Sequence, residues 1–351
     1  MGIRFMIPAT LVVSLVLLGS TCSAADSVDV SGSPPHRSDA NIIGTLHDTE
    51  LDPARKGTIQ VEGFIEDTEI DPTGIVALRP DIFKKGRFSA FDALVHVCAE
   101  REIDLKYHFS PELRTHVIDS IGGKENWWYA AHYHGGGMVE EPVHRMDTHP
   151  YKDWMRIEVY PVPQERVDEI QRAFRAEVER LERNGNKVVV PEVRITTPNQ
   201  NLRFADVEVK PHGLRSDIFQ PDVLAAADIM LSLADEGRIS LDLTWLDNIA
   251  STLVQGYYFT RFNDEEAYGR AGFTFSMGEK YFQAKRQRRF GGNFFHMTSD
   301  IRVIVSPEYM HWQWTDLSRG GRTARGSQGA DGVTAPAARA GREATPKPSE
   351  R

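Results

Sequence analysis

One phrase that occurs twice constrains this chain more than any other feature. Leu78-Arg79-Pro80-Asp81-Ile82-Phe83 returns as Leu214-Arg215-Ser216-Asp217-Ile218-Phe219. A recurrence at domain-sized spacing points to an internal duplication rather than a local motif. The surroundings agree. Each copy runs into a helical segment rich in alanine and leucine, Phe91 to Glu102 and Val223 to Glu236, and then into an alternating strand, Ile103 to Tyr107 and Ile239 to Leu243. Farther on, the aromatic block Trp127-Trp128-Tyr129 is matched with Tyr257-Tyr258-Phe259, and a closing strand from Met155 to Val162 with Asp300 to Val305. A strand-like approach precedes each copy, Thr58 to Ile65 and Lys187 to Thr196. The unit is roughly 100 to 130 residues, an ordinary domain size. Two homologous domains are therefore expected, over 56–162 and 187–317.

Between them, over 163–186, Val167, Ile170, Phe174, Val178 and Leu181 recur at steps of three and four among Arg and Glu. This spacing predicts an amphipathic helix whose apolar stripe docks on one or both domains, with Asn184-Gly185 as its stop.

The ends read differently from the body. Residues 1–25 combine Arg4, an uncharged apolar run from Ile7 to Leu18 and the small residues Ser23-Ala24-Ala25, the pattern of a secretory signal. The run is too short for a span that needs about 20 residues. Cys22 raises a lipid-anchored form, but Gly19-Ser20-Thr21 fits that signal poorly, so cleavage after Ala24 or Ala25 is expected. The protein is thus read as exported, to the periplasm or the extracellular space. Residues 26–55 are expected to be flexible. Residues 318–351, rich in Gly, Ala, Ser, Pro and Arg, are expected to be disordered.

Loss of the signal leaves Cys98 as the sole cysteine, which excludes an internal disulfide. Cys98 shares helical spacing with Phe91, Leu94 and Val95, so it is expected to fill the core. A net charge of -9 argues against nucleic acid as a partner. Nothing after the signal is long and apolar enough to span a membrane.

The stretch Phe91-Asp92-Ala93-Leu94, then Leu105-Lys106-Tyr107, then Thr115 to Gly123, then Trp127-Trp128-Tyr129 resembles the transcobalamin C-terminal-like domain. That domain has a β-grasp-type fold related to soluble-ligand-binding β-grasp modules. The resemblance covers about 75 residues of the first repeat and is fainter in the second. It implies an α+β chain of two β-grasp-like domains, each a mixed sheet with one packed helix, joined by the amphipathic helix. It also implies ligand or partner binding in an exported protein, with cobalamin as one ligand the family contacts. Where the family has an Asn-Gly turn after its Trp-bearing strand, this chain has His132-Tyr133-His134-Gly135-Gly136-Gly137.

Two chemistries are open at that segment. Trp127, Trp128, Tyr129 and Tyr133 on alternating faces give one aromatic row for the core and one that can stack a ring-shaped ligand or a sugar. Gly135 and Gly136 let the backbone approach such a ligand. Alternatively, His132 and His134 on one face of a strand could meet a divalent metal, with His144 or His149 completing the set. Asp48-Thr49-Glu50-Leu51-Asp52-Pro53 and Asp67-Thr68-Glu69-Ile70-Asp71-Pro72 lack calcium-loop spacing and read as turns. The basic run Lys285 to Arg289 reads as a solvated loop. No Gly-x-Ser-x-Gly elbow, phosphate loop or paired-cysteine framework occurs. The expected function is non-enzymatic binding of a small molecule, glycan or envelope protein, with a metal-binding protein or metal-dependent enzyme as the alternative.

Overall fold

The computed structural model describes residues 40–43, 49–134, 139–140, 143–249, 252–269, 271–281, 298–316 and 322–323. The signal, Cys22, Gly135, Gly136 and the Lys285–Arg289 run lie outside the described residues. The class is α+β, mostly sheet with three α-helices among the described residues.

The chain enters at strand β1 (Ala40–Ile43), then builds β2 (Thr58–Val61), β3 (Ile65–Glu69), helix α1 (Ala90–Glu100), β4 (Leu105–Ser110), β5 (Thr115–Ile121), β6 (Trp127–His132), β7 (Val139–Glu140), a 3-10 turn (Met146–Thr148) and β8 (Arg156–Pro161). Helix α2 (Gln164–Arg183) leads to β9 (Val189–Thr196), β10 (Asn201–Glu208), α3 (Ala226–Asp235), β11 (Leu241–Ile249), β12 (Thr252–Phe262), β13 (Glu265–Glu266), β14 (Ala271–Gly278), β15 (Tyr309–Asp316) and β16 (Arg322–Thr323).

The two halves repeat one topology. The first sheet runs β3-β2-β8-β6-β7 and the second β10-β9-β15-β14, with β2 parallel to β8 and β9 parallel to β15 at their centres. Each half adds a hairpin, β4–β5 or β11–β12, apart from its sheet. The hairpins match pair for pair from Leu105 to Ser110. An offset of 136 carries Leu105 to Leu241, an offset of 141 carries Ile121 to Phe262, and the two registers slip at the same place, between Lys106 and Tyr107 and between Asp242 and Leu243. A left-handed residue also recurs at the equivalent position, Arg114 with φ 51° just before β5 and Gln255 with φ 45° within β12.

The repeated phrase turns out to join the halves. Phe83 and Phe219 form an antiparallel bridge, the Lys84 N–H donates to the Ile218 carbonyl and the Gln220 N–H to the Ile82 carbonyl, each at 2.9 Å. Its arginines do equivalent work. Arg79 reaches the buried Asp147 at 3.3 Å and the Arg114 carbonyl, while Arg215 reaches the buried Asp300 at 3.1 Å and the Gln255 carbonyl. Its hairpins also pack through one continuous hydrophobic core that draws on both halves.

An aspartate at the third helical residue caps α1 and α3, whereas α2 begins after Pro163 without a side-chain cap. Ser89 and Asp92 exchange hydrogen bonds in a capping box at α1, and Asp228 accepts from the Ala225 N–H at 2.7 Å at α3, where alanine can supply no reciprocal acceptor. Helix α2 buries Ile170, Ala173, Phe174, Val178 and Leu181, the predicted stripe, and stops at Asn184 and Gly185. It docks on both halves: Arg145 pairs with Glu177, and Arg180 grips Glu279 through two bonds of 2.9 Å. Cys98 is buried, and burial pushes its thiol up to about 11. Asp52 and Asp71 each accept the N–H two residues on, at 2.9 Å, as turn residues do.

Four expectations shift. The strand in the second half that matches β6 is β14, not the Tyr257–Phe259 block, which lies on β12 at the level of His116. The closing strand is likewise β15, not Asp300–Val305. The cause is added length at more than one place: the longer second hairpin, strands of 9 and 11 residues against 6 and 7, raises the offset between equivalent residues from 136 to 141, and longer connections after it raise that to 153 at the equivalent Asp147 and Asp300. Within 26–55, expected to be flexible, Ala40–Ile43 pairs in parallel with β11, and Thr49 donates to Asp217 at 2.6 Å. Within 318–351, expected to be disordered, Arg322 and Thr323 pair with β15. Among the described residues no helix is long and apolar enough to cross a membrane.

Candidate functional site

Strand β6 alternates as β geometry requires. Trp127 and Tyr129 are buried toward the core, while Trp128 between them is half-buried and turns to the face that α2 covers. There the Trp128 ring lies 6.2 Å from the Phe174 ring. Helix α2 stands off from β6 and the β4–β5 hairpin, and the gap is a cleft of about 370 Å³ lined by Trp127, Trp128 and Tyr129. Its helical wall carries Gln164, Val167, Gln171 and Phe174, spaced by three and four residues and hence on one face. This volume lies within the usual range of small-molecule sites.

The polar groups of the cleft are placed at its rim and floor. His108 Nδ1 lies 2.9 Å from Asp119 Oδ1 at the exposed rim. On the floor, His116 stacks on Phe91 at 5.4 Å and bonds Asp147 through Nδ1 at 2.9 Å. Burial opposes the charge of Asp147. Hydrogen bonds from His116 and Thr115 and the nearby Arg79 outweigh that cost and hold the carboxyl below its ordinary range. Glu125, Asn126 and the two glutamines complete the polar set, and no lysine or arginine is among the lining residues.

The other expected residues fall elsewhere. Tyr133 is buried, and its hydroxyl lies 2.8 Å from His149 Nε2, while the Tyr129 hydroxyl lies 3.0 Å from His149 Nδ1. The Tyr129 hydroxyl donates to the His144 carbonyl at 3.1 Å. It must therefore accept from an Nδ1–H, which leaves Nε2 to accept from Tyr133. Burial, with Arg302 and Lys152 nearby, drives His149 down to about 3, so the ring is neutral. His144 is also buried and depressed, chiefly by burial, and its Nδ1 bonds the Arg145 carbonyl at 3.0 Å.

The four histidines do not form one ligand set. Strand β6 ends at His132, so the alternation that would align His132 with His134 does not extend to the second ring. His132 Nε2 lies 3.1 Å from Glu158, and the His134 ring packs 4.4 Å from that of Trp154. His144 and His149 stand together, rings 5.6 Å apart, but in the core. Among the described residues no group of three or more His, Cys, Asp or Glu side chains could hold a metal ion.

The contributions of α2 were missed by sequence reasoning. The signal was present, since Gln164, Val167, Gln171 and Phe174 share a helical face, but only tertiary packing shows that this face meets Trp128. The chain matches no family model, no curated protein and no solved structure.

Proposed function

We propose that this is an exported, non-enzymatic binding protein of two β-grasp-like modules, and that its ligand enters the cleft between β6, the β4–β5 hairpin and α2. The observation that carries this reading is the cleft itself: about 370 Å³, walled by Trp128 and Phe174 and rimmed by carboxylates and amides. The half-buried Trp128 face gives a ligand ring a flat apolar partner, and the convergent amides and carboxylates supply orientation. The β-grasp reading is supported by a mixed sheet with one packed helix in each half. A volume of this size suits one substituted ring system better than an enclosed macrocycle, so cobalamin would have to bind at the mouth.

Saturation-transfer NMR with indoles, nucleosides and monosaccharides, and a separate titration with cyanocobalamin, tests this on the full chain. One class is expected to bind wild-type protein and to lose binding in Trp128→Ala while the variant keeps its cooperative melt. Equal binding to the folded variant would remove the cleft as the site.

A further inference from the structure

We infer that the outer edge of β4 is a docking site for an extended peptide segment of a partner protein, added as a parallel strand with an acidic residue facing Lys106. The hairpins β4–β5 and β11–β12 superimpose in register and share a bulge, so their outer edges are equivalent. One edge is filled. Strand β1 lies parallel to β11 with Ala40 opposite Leu241 and Ile43 opposite Thr244. The other is open, because among the described residues β4 pairs only with β5. An open edge presents unpaired N–H and C=O groups at strand spacing, the template that β-augmentation uses.

The helices record the same asymmetry. Strand β1 also lies against α3, which is buried at every position from Ala226 to Ala234. On α1 the equivalents of Leu231 and Ser232, Val95 and His96, are only half-buried. Near the open edge Phe109 keeps 43% of its surface exposed.

Side chains specify the partner. Asn41 on β1 faces Asp242 and hydrogen-bonds it, and Arg261 holds the same carboxylate. The residue equivalent to Asp242 on β4 is Lys106, 65% exposed and 3.5 Å from the similarly exposed Asp104, two places from the exposed His108. A strand in the same register would put its second residue across from Lys106, where an acid pairs and a base repels. The first and third residues would lie along the half-buried Leu105 and Tyr107 and so be apolar. This surface is separate from the interior of the cleft, and its test does not depend on any cleft ligand.

The probe is a synthetic peptide of residues 38–46 carrying Asn41→Glu, with an Asn41→Lys peptide as its counterpart, titrated into the full chain by fluorescence anisotropy and mapped by amide hydrogen exchange. The Glu peptide is expected to protect amides within Leu105–Ser110. In the Lys106→Glu variant it should bind about fivefold more weakly, and the Lys peptide more tightly. Protection confined to β11, through exchange with β1, would overturn the proposal. So would affinities indifferent to Lys106, or absence of binding by both peptides.

Discussion

At the scale of single residues, the buried polar groups decide how the protein responds to pH and to mutation. His149, His144 and His311 all lie below the ordinary imidazole value because burial disfavours their charged forms, His149 at about 3 and His311 at about 4. An unfolded chain binds these protons near pH 6.5, the folded one only at lower pH. Their contribution is therefore complete above about pH 6.5 and is lost as pH falls toward 4, with a slope of up to about 1.4 kcal/mol per pH unit for each group. His212 acts in reverse. Burial works against its charge, but hydrogen bonds to Asp228 and Asp235 outweigh burial and raise it, so its contribution is lost as pH rises. Three depressed groups against one raised group predict a midpoint of urea unfolding that falls between pH 7 and pH 4. A midpoint that is flat or rises over that range would contradict the assignment. Mutation tests the arginine anchor. Asp147 is wholly buried and serves Arg79, Thr115 and His116, so Asp147→Ala is expected to cost about 3–5 kcal/mol. Asp81 also pairs with Arg79 but is 61% exposed, and Asp81→Ala should cost under about 1 kcal/mol. Denaturant titration of the two variants separates these magnitudes.

Among the elements, α2 carries the most varied duty. Its stripe was read from spacing alone, and the structure adds what the stripe covers: a small apolar cluster of Leu113, Ile170, Ala173 and Phe174 beneath the cleft. The Arg145 guanidinium lies over the Phe174 ring at 4.3 Å and its NH2 donates to the Phe174 carbonyl at 3.2 Å. Phe174→Ala is therefore expected to destabilise by about 3–5 kcal/mol and to remove one cleft wall. Thermal denaturation and ligand titration of one variant report both effects. The hairpins teach a related lesson. Their registers are equal near the open ends, but the extra length of β11–β12 and of the connections after it displaced the later matches, and a pattern read by sequence distance could not detect that shift.

For the molecule as a whole, the described residues from Ala40 onward form one compact unit, and the two repeats share a core. Bonds cross between the halves at several levels, including Arg302 to the Val143 carbonyl, Leu253 to the His134 carbonyl and the bridge between Phe83 and Phe219. Unfolding one half would expose core surface of the other. Calorimetry is thus expected to give a single transition whose calorimetric and van't Hoff enthalpies agree, and two resolved transitions would mean that the repeats are energetically independent.

The sequence by itself determined the repeated phrase, the three helices, the leading strands of each half, the amphipathic face of α2, the core placement of Cys98 and the aromatic character of β6. These are local properties, set by period, capping and composition over a few residues. Tertiary structure alone decided which partners those residues meet. His132, His134, His144 and His149 are close in sequence, yet the end of β6 and the turn before β8 leave His132 half-buried and His134 exposed and send the other two into the core. The repeated phrase looked like a marker of homology and proved to be the junction itself, because pairing across the halves depends on contacts far apart in the chain. The filled edge of β11 and the open edge of β4 arise in the same way, from a strand at the chain's start reaching one hairpin and not the other.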